Sequence, residues 1–227
     1  MPASSNTSNF GNLTTVGAAT ALTLNESKTM NGVLTTAGTL AIGASNTLTI
    51  NGANAHTVGG NVTGGTLAFV LTGAASVTGN FNLPNITATK SSAGVVALTL
   101  NTNTTIGNIT ASGNATVNAN NAVTLGALTN NGAGQITGNS ATTVGAVSNT
   151  AGGNIQLFSA SAAATTVASV SNSGSGYVLL DNPAAINLTV TGNISQSGSG
   201  YISVTPTAGA GTVSVGGTVT NNPTLTL

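Results

Sequence analysis

The segments Leu125-Gly126-Ala127-Leu128 and Val144-Gly145-Ala146-Val147 are two copies of one phrase. Each copy begins and ends with an apolar residue. The short gap between these two residues often contains Gly or Asn in the related segments. Related phrases begin at Phe10, Met30, Val58, Leu83, Ile106, Leu125, Val144, Val167, Val190 and Val215. The period between successive starts is about 20–25 residues, which lies in the range that indicates a solenoid.

The segments between the phrases alternate apolar residues with Thr or Ser. Examples are Thr47-Leu-Thr-Ile50, Val96-Ala-Leu-Thr-Leu100 and Ile202-Ser-Val204. Side chains alternate in direction along a strand, so this pattern predicts strands with one buried face. No segment shows a sustained helical period, and Gly, Asn and Thr are poor helix formers.

The two patterns together predict how the chain turns. Inward residues three apart, such as Val144 and Val147, would face opposite ways on a straight strand, so a corner must lie between them. We therefore predict an all-β fold, a right-handed parallel β-helix of about ten coils of roughly 19–28 residues, in a single domain over residues 1–227. Coils stacked about 4.8 Å apart would form a rod on the order of 45–50 Å long. The first residues of the ten phrases are the predicted core ladder.

Charge is almost absent, with two Lys, two carboxylates and no Arg among 227 residues. A chain without a basic patch has no electrostatic footprint for nucleic acid, so we expect no such partner. Polar residues interrupt every apolar stretch, so no membrane span is expected. The absence of Cys excludes disulfides.

The repeat resembles the β-helical passengers of bacterial type V secretion, which include autotransporters and filamentous-haemagglutinin-like adhesins. The residues that carry the resemblance are Ala151-Gly-Gly-Asn-Ile-Gln-Leu157, Leu188-Thr-Val-Thr-Gly-Asn-Ile194 and Gly198-Ser-Gly-Tyr-Ile-Ser-Val204. It covers nearly the whole chain and rests on composition and period. The resemblance implies secretion, surface display, and adhesion or scaffolding. The first six residues show no signal-peptide pattern, so we expect another route or a passenger fragment.

No constellation of residues indicates catalysis, a cofactor or a metal site. His56 is the only histidine and is interpreted as a loop residue. Glu26 and Asp181 are the only carboxylates and are predicted to lie about seven coils apart, roughly 30 Å, too far for a two-carboxylate hydrolase. Gly174-Ser-Gly176 and Gly209-Ala-Gly211 do not precede helices and are interpreted as turns. We therefore expect a protein that is not an enzyme.

Three residues form a candidate contact patch: His56, Tyr177 and Tyr201. The phrase spacing is longest between Met30 and Val58, so we predict a protruding insertion around Asn51 to Gly60. The two tyrosines each follow Gly-Ser-Gly and are expected to stack in adjacent coils.

Sequons occur at Asn12, Asn61, Asn85, Asn108, Asn114, Asn187 and Asn193, and we attribute most of them to chance in a chain rich in Asn and Thr. Thr-x-Thr pairs occur at 47/49, 189/191, 218/220 and 224/226. They resemble the Thr ladders of ice-binding β-helices. By sequence spacing, however, they do not recur once per coil in a single register.

The expected function is that of an extracellular rod on a bacterial surface, with a structural or adhesive role. A host-surface protein or glycan is the expected partner. Two alternatives remain: a fibre subunit that associates end to end through the exposed ends of the solenoid, which its apolar last strand suggests, and an ice-binding protein.

Overall fold

The computed structural model describes residues 11–15, 17, 21–79, 82–102, 104–158, 164–182, 187–206, 211–220 and 225–226. These residues form 28 strands and no helix. In the first half of the chain the strands are β1 (Leu13–Thr15), β2 (Ala21–Leu24), β3 (Lys28–Met30), β4 (Leu34–Thr36), β5 (Thr39–Ile42), β6 (Thr47–Gly52), β7 (Ala55–Val58), β8 (Val62–Thr63), β9 (Thr66–Leu71), β10 (Ala75–Thr78), β11 (Asn85–Lys90), β12 (Val96–Asn101), β13 (Thr105–Ile106) and β14 (Ile109–Gly113).

The second half continues in the same manner, and its strands become longer where a corner is crossed without a break. The strands are β15 (Ala115–Asn120), β16 (Thr124–Leu125), β17 (Leu128–Asn130), β18 (Gln135–Gly138), β19 (Thr143–Asn149), β20 (Asn154–Phe158), β21 (Thr165–Asn172), β22 (Tyr177–Asn182), β23 (Leu188–Val190), β24 (Ile194–Gln196), β25 (Tyr201–Pro206), β26 (Val213–Val215), β27 (Val219–Thr220) and β28 (Leu225–Thr226).

The strands form three sheets, and all their ladders are parallel. Sheet 1 has 14 strands and includes the run β3-β6-β9-β11-β14-β17-β19-β21. Sheet 2 has 11 strands in the order β1-β4-β7-β10-β12-β15-β18-β20-β22-β25-β28, and sheet 3 consists of β2, β5 and β8. Each strand pairs with the equivalent strand of the next coil, so the chain winds as a β-solenoid. The prediction of an all-β parallel solenoid is confirmed.

The register of sheet 2 gives the length of each coil, because paired positions are one coil apart in the sequence. Val117 pairs with Ile136 in one of the shorter coils, and Val178 pairs with Ile202 in one of the longer ones. Both lengths lie within the predicted range. The eleven strands of this sheet also agree with the expectation of about ten coils.

The predicted core ladder exists from Leu83 onward. Its register runs through Leu83, Ile106, Leu125, Val144, Val167, Val190 and Val215. All of these side chains are buried except Val215, which is half-buried and packs against the core. Phe10 lies outside the described residues.

Met30 and Val58 are buried but do not belong to this ladder, which corrects their assignment. Met30 pairs with Ile50 in sheet 1, and Val58 pairs with Thr36 in sheet 2. The equivalent corner positions are held by Leu40 and Val62, which pair with each other.

The reason for the error is the length of the corner. Only two residues separate Leu125 from Leu128, whereas seven separate Leu40 from Leu48, the residue in register with Leu128. A sequence pattern of fixed length therefore identifies the corner residues of the later coils. In the first coils it selects Met30 and Val58 instead of the corner residues Leu40 and Val62.

A second interior ladder changes from apolar to polar along the rod. It begins with Met30, Ile50 and Phe69 and ends with Asn130, Asn149, Asn172 and Gln196. These four polar side chains are at most 2% exposed. The Nδ2 group of Asn172 donates to the carbonyl of Gly176 at 2.9 Å, and its Oδ1 accepts from Gly174 N at 3.2 Å. The amides thus fasten the turn that follows each strand to the core.

Candidate contact surfaces

His56 is a core residue. It is 2% exposed, and its Nδ1 accepts a hydrogen bond from the backbone N–H of Leu34 at 3.1 Å. Its ring lies 5.8 Å from that of Phe69, and burial lowers its pKa below 6.5. This geometry removes His56 from the contact patch. The sequence did carry the signal, since Ala55-His56-Thr57-Val58 alternates and places His56 on the same face as Val58.

The predicted protrusion around Asn51 to Gly60 is not present. Ile50 pairs with Phe69 at the same sequence separation as Val117 and Ile136, so this coil has an ordinary length, and residues 55–58 form a regular strand. Two other segments project instead. The corner at residues 43–46 follows β5, and residues 91–95 are all exposed.

The segment 91–95 is the clearer of the two projections. The chain needs five residues to pass from Lys90 to Val96, whereas the next coil passes from Gly113 to Ala115 through Asn114 alone. Val95 is 61% exposed, which is the highest value among the large apolar residues described. This loop therefore presents an exposed apolar side chain to solvent.

The two tyrosines meet as expected. Tyr177 pairs with Tyr201 in sheet 2, and their rings stack with centroids 5.1 Å apart at 15°. Tyr201 is 43% exposed, and the Gln156 side chain donates to the hydroxyl of Tyr177. Leu179 lies on the same outward face two residues beyond Tyr177. The tyrosines and Leu179 therefore form an apolar site on the outer face of sheet 2.

The charged residues are widely separated. Glu26 forms an ion pair with Lys28 beside the first strand of sheet 1, and Asp181 lies on β22. Seven strand steps of sheet 1 separate β3 from β21, about 34 Å at the usual spacing. Within the described residues there is no group of three or more His, Cys, Asp or Glu side chains that could hold a metal ion.

Gly174-Ser-Gly176 is the turn between β21 and β22, and no helix follows it. The second glycine motif lies partly outside the described residues, since only Gly211 of its three residues is described.

Most of the sequon asparagines have a structural task that the sequence analysis missed. They lie at exposed corners, and the side-chain oxygen accepts a backbone N–H of the next coil. Asn85 accepts from Asn108 at 3.1 Å, and Asn108 accepts from Ala127 at 2.8 Å. The same bond occurs at Asn12, Asn61, Asn187 and Asn193. These bonds matter because a corner interrupts the sheet ladder and leaves N–H groups that need acceptors.

The outer face of sheet 1 carries a column of single hydroxyl residues, one per coil, which the Thr-x-Thr pairs did not indicate: only Thr49 and Thr220 of those pairs belong to it. The column consists of Thr29, Thr49, Ala68, Thr87, Thr110, Thr129, Ser148, Ser171, Ser195 and Thr220. Nine of these ten positions, one per coil, hold Thr or Ser. We call it the hydroxyl column. The column cannot be recognised from sequence spacing, because the number of residues per coil varies. It becomes visible only in the register in which the strands pair, which is constant.

Within the described part of the chain, no helix has the length and apolar character required to cross a membrane. Comparisons with protein-family models, curated proteins and solved structures found no match to this chain. Its function must therefore be argued from its own geometry.

Proposed function

We propose that this chain is a non-enzymatic structural rod, displayed on or secreted from a bacterial surface, whose projecting residues make adhesive contacts. The observation that carries the proposal is the in-register stacking of coils through eleven strands of sheet 2. Ten steps at the usual strand spacing give a rod about 48 Å long. A shape of this kind provides length and stiffness rather than a pocket.

The interior supports a mechanical role. The corner ladder from Leu83 to Val190 is at most 5% exposed, and it stacks branched apolar side chains directly above one another. The corner asparagines add a hydrogen bond between coils where the sheet is interrupted. Bending such a rod would break both sets of contacts at once.

The adhesive part of the proposal rests on two exposed sites. Val95 lies on the projecting loop 91–95, and Tyr201 lies on the tyrosine stack. Aromatic residues are enriched where proteins bind partners, because they supply a large apolar area together with a polar group. A host-surface protein or glycan is the partner class that these sites would suit.

Negative-stain electron microscopy of the purified chain over a concentration series tests the rod. We expect discrete rods about 5 nm long by the coil spacing, unchanged with concentration. Compact or irregular particles would overturn the rod. Fibres that lengthen with concentration would favour the fibre subunit over the adhesive rod.

Adhesion is tested by binding of the labelled protein to host cells. We expect Val95→Ser and Tyr201→Ser to reduce binding several-fold, because each removes exposed apolar surface. Val70→Ser is the matched control, since Val70 is also exposed, at 42%, but lies on sheet 1. Equal loss in all three variants, or no binding by the wild type, would contradict an adhesive role for these sites. Surface labelling of intact cells that express the native gene tests the location.

A further inference from the structure

The hydroxyl column is the most regular outward feature of the molecule. Adjacent members lie about 4.8 Å apart along the rod, and outward neighbours on the same strand lie about 6.6 Å to either side. On β6 these neighbours are Thr47 and Asn51, and on β11 they are Asn85 and Thr89. The outer face of sheet 1 is therefore a two-dimensional array of small polar groups, interrupted on β9 by Ala68 and Val70.

The hydroxyl groups of the column are left available to an outside layer. Within the described residues, only the hydroxyl of Ser171 has a hydrogen-bond partner in the protein, the carbonyl of Val147 at 3.4 Å. The outward amides differ from the hydroxyls, because they bond to one another on both sheets: Asn51 donates to Asn31 at 2.9 Å beside sheet 1, and Asn120 donates to Asn101 at 3.0 Å on sheet 2.

The face is also almost without charge. Lys90 is 4% exposed and occupies an inward position of β11, and Asp181 lies on sheet 2. The ion pair of Glu26 and Lys28 is confined to the first coil. No charged residue therefore disturbs water over the face from Thr49 to Thr129.

We propose that the hydroxyl face of sheet 1 binds the ordered water of an ice surface. A rigid periodic array can meet a periodic lattice at many points at once, which matters because each hydrogen bond exchanged with water contributes little net free energy. The threonine half of the column, from Thr29 to Thr129, also supplies methyl groups between the hydroxyls. The inference goes beyond the proposed adhesive role and rests on the same stacking of coils as the rod.

A second protein is a poorer occupant of this face. Burying a hydroxyl without a hydrogen-bond partner costs about 1–3 kcal/mol, and nine hydroxyls lie in the column. A protein surface would need a matching acceptor or donor at each position. Ordered water supplies both at every site.

The test is the gap between the melting and freezing temperatures of a single ice crystal in the protein solution. We expect the wild-type protein to lower the freezing temperature below the melting temperature and to change the shape of the crystal. The double variant Thr87→Tyr with Thr110→Tyr should show the same temperature difference as buffer alone. The matched control is Thr99→Tyr with Thr137→Tyr, two outward threonines of sheet 2 whose column is interrupted by Asn118 and Gln156. Circular dichroism spectra and melting curves establish that both double variants fold.

The outcomes separate cleanly. A wild-type protein with no temperature gap and no effect on crystal shape overturns the proposal. Equal loss in both double variants shows that the effect does not belong to this face, which also overturns it. Side-by-side bundling of rods that is lost only in the Thr87 and Thr110 variant would assign the face to a second copy instead of ice. The rod itself is tested separately by microscopy, so intact rods without an effect on ice would overturn this inference alone.

Discussion

At the residue scale, the buried histidine makes stability depend on pH. Burial lowers the pKa of His56 in the folded state below 6.5, and the unfolded chain keeps a value near 6.5. Above that pH both states are neutral, and no stability is lost. As the pH falls below 6.5, the unfolded state takes up a proton that the folded state resists, so the free energy of unfolding decreases.

The expected slope is at most about 1.4 kcal/mol per pH unit for one proton, and it ends at the lowered folded pKa. Urea unfolding from pH 8 down to 5 measures it (the range in which an ordinary histidine changes charge). His56→Leu should remove this slope, because its neighbours in the same ladder, Leu34 and Val77, are already aliphatic. Parallel curves for wild type and variant would show that His56 is not the cause.

The interior amides give a second prediction at this scale. Asn172→Ala removes donors to Gly176 O and Tyr201 O and the acceptor of the Asn149 side chain. Leaving a buried polar group unpaired costs about 1–3 kcal/mol, so we expect the free energy of unfolding to fall by at least about 2 kcal/mol. Asn131→Ala is the control, because Asn131 is exposed, and its loss should stay within about 0.5 kcal/mol. Similar losses in both variants would mean that the interior ladder is not specially stabilising.

At the scale of the element, a glycine at one register position permits the turn between sheets 1 and 2 in four successive coils, at Gly134, Gly153, Gly176 and Gly200. A Cβ on Gly153 would lie 1.9 Å from the carbonyl oxygen of Gly134, and one on Gly176 would lie 1.8 Å from that of Gly153. Backbone cannot move aside as a side chain can, so the coils must separate to accept a methyl group. The neighbouring Gly152 has only the hydroxyl of Ser175 near its Cβ position, at 3.4 Å.

We therefore expect Gly153→Ala to lower the melting temperature by several degrees, since strain and overpacking of this kind cost about 1–3 kcal/mol. Gly152→Ala, one residue away in the same turn, should leave it nearly unchanged. Differential scanning calorimetry of the pair makes the comparison. A larger effect at Gly152 than at Gly153 would contradict the close stacking of these turns.

The elements also show what a sequence of this kind reveals and what it hides. The apolar ladder from Leu83 to Val215 was predictable because those corners have nearly constant length. The roles of Met30 and Val58 and the position of the protruding loop could not be predicted. The corners of the first coils are longer, so the repeated sequence pattern there does not coincide with the corner positions. His56 was misplaced because a Gly- and Asn-rich context outweighed its place in an alternating strand. The hydroxyl column could not be predicted because the number of residues between its members varies. Its members share one position only in the pairing of the strands.

At the scale of the whole molecule, the fold is a one-dimensional chain of coils. Each strand pairs only with the equivalent strands of adjacent coils, and the interior ladders run along the same axis. Stability in such a structure is close to a sum of coil terms and nearest-neighbour contacts. A defect should therefore remain local.

Ile50→Ala tests this locality. Ile50 is 2% exposed and lies in register with Met30 and Phe69, so its truncation leaves a cavity that costs about 2–5 kcal/mol. Native-state hydrogen exchange should rise at the amides of β3, β6 and β9, while those of β22 and β25, many coils away, keep their protection. Val178→Ala is the matched experiment at the other end, where the pattern should reverse. An equal rise at all amides in either variant would show that the rod unfolds as one cooperative unit, and the nearest-neighbour description would then fail.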